Sequence, residues 1–151
     1  MQIRVDNLTD PRVIELLQLH VESMRSASPP ESCHVLDLDE LRRPGLTFWT
    51  IWDNNQLAGC AALKELDSAH AEIKSMRTAT PYLRKGAASL LLMHILEHAK
   101  QRKYRRLSLE TGAQDRFDAA RRLYSKFGFR LCAPFASYRD DPNSVFMMIE
   151  L

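Results

Sequence analysis

The sequence predicts one α/β domain with a mainly antiparallel first half. Three observations point there. Between residues 46 and 78, three runs rich in β-forming residues follow one another through short turn signals. Two stretches, 86–100 and 117–127, carry apolar residues at helical spacing. A strand-like run at 71–78 passes through a turn of small and basic residues into the first of those helices. The predicted order is β-α-(α)-β-β-β-α-β-α-β-β, an α/β pattern. With 151 residues and no repeat, low-complexity segment or dividing linker, residues 1–151 read as a single domain with a substantial core.

The elements follow from local chemistry. Ile3 and Val5 alternate with polar neighbours as a short strand. Asp10-Pro11 starts a helix, with Asp as cap and Pro in the first turn. Val13, Ile14, Leu16, Leu17, Leu19, Val21 and Met24 carry it toward Ser26. The paired prolines of Ser28-Pro29-Pro30-Glu31-Ser32-Cys33-His34 forbid helix, leaving the longest irregular stretch, either a connector or a functional loop. Residues 37–41 suit a second short helix. Residues 46–52 form a strand, Asp53-Asn54-Asn55-Gln56 a hairpin turn, and 57–63 the return. The small Gly59, Cys60, Ala61 and Ala62 imply a close neighbour on that strand. Asp67-Ser68 turns the chain into the strand at 71–78. The helix at 86–100 shows a stripe of Ala88, Leu92, Ile95 and Ala99. Residues 106–110 alternate as a strand. The helix at 117–127 places Ala120, Leu123, Tyr124 and Phe127 on one side, and Gly128 stops it. Strands at 129–132 and 145–151 end the chain.

Composition narrows the function classes. The chain is 45% hydrophobic and 26% charged, as ordinary soluble globular proteins are. A formal net charge of +2 gives no general attraction to nucleic acid. The one basic cluster, Lys100-Gln101-Arg102-Lys103-Tyr104-Arg105-Arg106, is accounted for by a helix C-terminus and a solvated turn. Cys33, Cys60 and Cys132 form no Cys-x-x-Cys pair and no zinc-like spacing, which suits free thiols in a reducing compartment. The N-terminus lacks the apolar core of a signal peptide, and no apolar run reaches membrane-spanning length. A cytoplasmic protein with neither membrane nor nucleic-acid partner is expected.

Leu83-Arg84-Lys85-Gly86-Ala87-Ala88-Ser89 stands where a strand meets a helix. The free N–H groups of a first helical turn favour an anion, and small residues let a ligand approach the backbone. The segment is either a phosphate cradle or an ordinary strand–helix turn. A second segment bears on the choice: Ala120-Arg121-Arg122-Leu123-Tyr124-Ser125-Lys126-Phe127-Gly128-Phe129.

Taken together with the element order, these two segments resemble the GNAT superfamily of acetyl-CoA-dependent N-acetyltransferases. That family carries R/Q-x-x-G-x-G/A before a central helix and A-x-x-L-Y-x-x-x-G-F later in the chain. The resemblance implies an acyl-CoA acyltransferase fold: a mixed, largely antiparallel central sheet with flanking helices. It implies acetyl-CoA as co-substrate, a small-molecule or peptide amine as acceptor, and no metal; it leaves a homodimer open. By position, Met76, Arg77 and Thr78 correspond to the strand that pairs with the pantetheine arm. Arg84, Lys85, Gly86, Ala87, Ala88 and Ser89 correspond to the pyrophosphate loop, and Tyr124 to the tyrosine that protonates the leaving thiolate. Two positions depart from the pattern. Leu83 replaces the motif's leading Arg or Gln, so Arg84 or Lys85 would supply that charge. Phe117 replaces a CoA-contacting Asn, for which Gln114 or Asp115 could substitute.

Acetyl transfer to an amine needs a held thioester, a neutral amine, a polarised carbonyl and a protonated leaving thiol. A backbone N–H of residues 76–78 could polarise the carbonyl. A tyrosine hydroxyl, with an ordinary pKa of about 10, roughly matches an alkyl thiol, so Tyr124 is either that acid or a core aromatic. Glu72 is a candidate base or one half of an ion pair with Lys74; strand alternation puts Glu72, Lys74 and Met76 on one face. His34, in the Pro-rich loop, and Tyr138, in the polar Tyr138-Arg139-Asp140-Asp141 loop, are candidate substrate-binding residues, or simply solvated. Direct attack needs no cysteine nucleophile. Two alternatives remain: a non-catalytic acyl-CoA sensor or scaffold, and, far weaker, a zinc peptidase through His94-Ile95-Leu96-Glu97-His98, which fits an H-x-x-E-H pattern.

Overall fold

Each predicted strand and helix has a counterpart in the computed structural model, which describes residues 1–151. The strands are β1 (Gln2–Val5), β2 (Leu46–Asp53), β3 (Gln56–Glu65), β4 (His70–Thr78), β5 (Arg106–Gly112), β6 (Arg130–Leu131) and β7 (Ser144–Glu150). The helices are α1 (Pro11–Ala27), α2 (Leu38–Leu41), α3 (Ala87–Gln101) and α4 (Asp118–Lys126). The strands form one seven-stranded sheet in the order β1-β2-β3-β4-β5-β7-β6. Hairpin connections make β2, β3 and β4 antiparallel neighbours. Only β4 and β5 run parallel, because α3 carries the chain back between them.

That parallel pairing is short. It runs from His70 opposite Arg106 to Ile73 opposite Leu109, and then ends, although β4 continues to Thr78 and β5 to Gly112. The sheet therefore opens between the carboxyl ends of its two central strands, where α/β sheets place ligands.

Each face of the sheet has its own apolar layer. Leu91, Leu92, Ile95 and Ala99 of α3 pack on Ile51, Ala61, Leu63, Ala71, Ile73, Leu107 and Leu109, and Tyr124 of α4 joins them. On the other face, Val13, Leu16 and Leu17 of α1 and Leu41 of α2 pack on Phe48, Trp52, Cys60 and Ala62. The small residues of β3 answer this double coverage, since Ala61 lies under one layer and Ala62 under the other. At Gly59 the neighbour is backbone: a Cβ there would come 2.8 Å from the Arg77 carbonyl.

Three expectations are corrected. Met76 does not share a face with Glu72 and Lys74. A bulge shifts the β3–β4 register between Cys60 and Ala62, with Ser75 at φ 54, and the extra residue turns Met76 toward the α3 and α4 layer. The buried stripe of α3 begins at Ala87 and Leu91, while Ala88 is only half-buried. The strand predicted at 129–132 is reduced to the two exposed residues of β6, because Phe129 leaves it to enter the core.

Candidate active site

The opening between β4 and β5 holds a cavity of about 110 Å³, and residues from both faces of the sheet line it. From the α4 side comes Tyr124, buried with its hydroxyl 3.6 Å from the Met76 Sδ. A thioether is a weak acceptor, so this hydroxyl is left without a strong partner. Burial pushes its pKa up to about 12. The end of α4 fixes the ring: Gly128 adopts φ +100, the Phe129 N–H donates to the Tyr124 carbonyl at 3.1 Å, and the two rings meet edge to face at 5.7 Å. Here the L-Y-x-x-x-G-F pattern reads as local structure, with the Gly needed for the left-handed turn that seats Phe129 beneath Tyr124.

One edge of β4 is free at the same opening. Arg77 and Thr78 pair with Cys60 and Gly59 on one side, whereas no strand occupies the other side beyond Ile73. Met76, Arg77 and Thr78 thus offer backbone groups to an added chain, as strand addition requires. The next turn brings the chain to α3. Tyr82 anchors it, its hydroxyl lying 3.1 Å from both Asp53 Oδ2 and Gln56 Oε1. Arg84 at φ 61 and Gly86 at φ +88 bend the backbone into the helix. No side chain caps α3, and the first helical bond is from the Leu90 N–H to the Gly86 carbonyl at 3.0 Å. The N–H groups of Ala87, Ala88 and Ser89 therefore face the space in front of the helix, and a Cβ on Gly86 would find nothing within 4 Å. Arg84 and Lys85 stand exposed beside them. An open, uncapped helix start flanked by two cations fits a pyrophosphate. Leu83 is 55% exposed and contributes only apolar surface.

The opposite face is polar. Glu72 is buried, and its Oε2 accepts hydrogen bonds from Tyr138 Oη at 2.5 Å and Lys74 Nζ at 3.3 Å. Lys74 also donates to Tyr138 Oη at 2.8 Å and to the His34 carbonyl at 3.1 Å. The Tyr138 and His34 rings meet edge to face at 4.9 Å. Burial first, then the Glu72 charge, raises the Tyr138 phenol far above its ordinary value. Burial and then Lys74 lower the His34 imidazole. Ser32 Oγ donates to Asp141 Oδ2 at 2.5 Å, so the Pro-rich loop and the 138–143 loop are pinned together. They wall a cavity of about 430 Å³ that shares His34, Glu72 and Lys74 with the opening. The structure thus gathers Glu72, His34 and Tyr138 on one face and Tyr124 on the other.

Two residues at the opening escaped the sequence reading. Glu110 follows Leu109, the last residue of β5 that pairs with β4, and burial pushes its carboxyl up to about 7. A charged residue at the end of a buried parallel strand was the available signal. His20 of α1 is 8% exposed, its Nδ1 has no partner, and burial followed by Arg77 pushes it down to about 4. Its position three and four residues after Leu17 and Leu16 places it on the buried stripe of α1.

Other sequence candidates have structural duties. Gln114 donates to the Ala27 carbonyl at 3.1 Å and to Ser28 Oγ at 3.3 Å, holding the end of α1, and Asp115 is exposed. The Phe117 ring sits where a side chain on Gly112 would be. His94 and His98 pack edge-on against Trp49, at 5.5 and 4.9 Å, and no three His, Cys, Asp or Glu side chains converge as a metal site. Cys60 is fully buried, its thiol pushed up to about 12, far from a reactive thiolate. No helix is long and apolar enough to cross a membrane.

Comparisons with known proteins agree with this geometry. Residues 13–129 match the acetyltransferase (GNAT) family. The chain is 55% identical over 151 residues to the N-acetyltransferase YsnE of Bacillus subtilis, whose activity is uncharacterized, covering 100% of both chains. It is 54% identical over 149 residues to the likewise uncharacterized N-acetyltransferase YedL of Escherichia coli, covering 99% of this chain and 94% of that one. Its fold matches a GNAT family acetyltransferase from Elizabethkingia anophelis, solved with acetyl-CoA bound, at a TM-score of 0.72 and 20% identity, over 99% and 97% of the two chains.

Proposed function

This chain belongs to the GNAT family of acetyltransferases and is an acyltransferase; on that premise we propose that it moves an acetyl group from acetyl-CoA to a primary amine by direct attack. One observation carries the proposal: the opening between β4 and β5, with the free edge of β4 on one border and the Tyr124 hydroxyl on the other. When bound, acetyl-CoA supplies an acetyl group already activated as a thioester. The N–H groups at the start of α3, with Arg84 and Lys85, hold its pyrophosphate. Met76, Arg77 and Thr78 receive the pantetheine arm along the free edge, and a backbone N–H there polarises the carbonyl.

Tyr124 donates its proton to the leaving sulfur. A pKa of about 12 keeps the hydroxyl protonated through the physiological range. The burial that raises it would also raise a thiolate formed in the same cleft, so donor and acceptor stay matched. The amine enters from the α1 face, past His34 and Tyr138, whose orientations Glu72 and Lys74 hold.

Thiol release from acetyl-CoA with a panel of primary amines tests the reaction. Tyr124→Phe should lower kcat by about 100-fold or more and leave the KM for acetyl-CoA unchanged. A wild-type rate in that variant removes Tyr124 as the acid. Acetyl-CoA binding with no thiol release for any amine would instead favour a sensor or scaffold.

A further inference from the structure

We propose that Glu110 is the group that takes the proton from the acceptor amine, an assignment that rests on the acetyl-transfer reading above. Glu110 lies one residue past Leu109, where β5 last pairs with β4, so it stands at the mouth of the opening. It shares a face of the sheet with Ser108 and Glu72, which are register partners, and lies on the side opposite the α3 and α4 layer. Tyr124 reaches the same cavity from that other layer. A base on one face and an acid on the other suit a substitution in which amine and thiol lie on opposite sides of the carbonyl carbon.

Glu72, the other carboxylate on this face, is less free. Its Oε2 already accepts from both Lys74 and Tyr138, and a proton taken there would displace one of those bonds. Glu110 has no cation bonded to it and borders the cavity directly. Lys74 and Glu72 face it from β4, Asp141 and Tyr138 from the loop after β6, and His20 and His34 line the same cavity. His20 supports a ligand here independently, because its buried Nδ1 is unpartnered in this cavity. A neutral His20 does not repel an incoming ammonium, and burial brings the Glu110 carboxyl to about 7, where a base serves at neutral pH.

The step balances as follows. Glu110 carboxylate takes one proton from the ammonium, and the freed lone pair forms the C–N bond. The C–S bond breaks with its electron pair on sulfur, which takes the Tyr124 proton. The second nitrogen proton returns to the Tyr124 oxygen, the amide keeps the third, and Glu110 passes its proton to solvent.

The test uses the full-length protein and the primary amine that wild type acetylates fastest. Glu110→Gln should lower kcat about 100-fold, leave acetyl-CoA binding intact, and abolish the acidic limb of the pH–rate profile near pH 7. Glu72→Gln should keep that limb. In the ligand-free protein, carboxyl ¹³C NMR should show Glu110 titrating near pH 7. Wild-type kinetics in Glu110→Gln, or a Glu110 carboxyl titrating below pH 5, overturns the assignment and leaves acetyl transfer standing. Absence of thiol release in wild type overturns both.

Discussion

The two faces of the opened sheet meet at the same gap but are built from opposite materials. On the α3 and α4 side, Leu91, Leu92, Ile95 and Tyr124 pack into one continuous apolar core, and α4 brings the Tyr124 phenol to the gap. On the α1 side, Glu72, Lys74, Glu110 and His20 lie buried or half-buried around it, with Tyr138 bonded to Glu72 behind them. In the proposed reaction the apolar wall would hold the thioester and keep the phenol protonated, and the polar wall would receive an ammonium and remove its charge. The difference teaches that the proposed division of labour follows from dielectric environment as much as from residue type.

The largest effect should come from breaking the buried pair on the polar side. Lys74→Met leaves the Glu72 carboxylate without its cation, although Tyr138 still bonds to it. Loss of one partner of a buried pair costs about 3–5 kcal/mol, which urea denaturation would read. An unchanged midpoint would mean that the pair is better solvated than its burial indicates.

The pH dependence of stability sharpens the comparison further. The folded-state pKa of His20, about 4, lies below the ordinary 6.5, so the native state is penalised as pH falls from 6.5 to 4. That of Glu110, about 7, lies above the ordinary 4.5, so the native state is penalised as pH rises from 4.5 to 7. Each penalty is about 3 kcal/mol, and across the shared window they oppose one another. Wild type should show a nearly flat profile between pH 4.5 and 6.5. His20→Gln should leave stability falling with pH, and Glu110→Gln should leave it rising. Parallel profiles for all three proteins would refute both shifts.

The smallest effect belongs to the loop proposed to hold the pyrophosphate. Gly86→Ala meets no neighbour within 4 Å, but φ +88 strains an L-residue by about 1 kcal/mol. Stability should drop by that amount, and the KM for acetyl-CoA should rise as the cradle shifts. A rise in the acceptor KM instead would place the loop on the wrong substrate.

Much of this architecture was legible in the chain itself, because periodicity and turn chemistry are local. Asp10-Pro11 predicted the start of α1, Asp53-Asn54-Asn55-Gln56 the β2–β3 hairpin, and Gly128 the end of α4. The loop before α3 and the position of Tyr124 were readable for the same reason. Met76 was misassigned to a face because a bulge depends on which partner strand the residue meets, and nothing in residues 70–78 alone names that partner.

Glu110 and His20 show where local information ends. Their residue types were plain, but their neighbours come from β4, α1 and a loop some thirty or more residues away. The sequence by itself determined the elements, their order and the helix start suited to a phosphate, since each rests on contacts within a few residues. Only the tertiary structure decided that β4 and β5 part after Ile73 and Leu109, and which charged groups lose their water at that gap. Desolvation belongs to the assembled fold, and it pushes the carboxyl of Glu110 up to about 7.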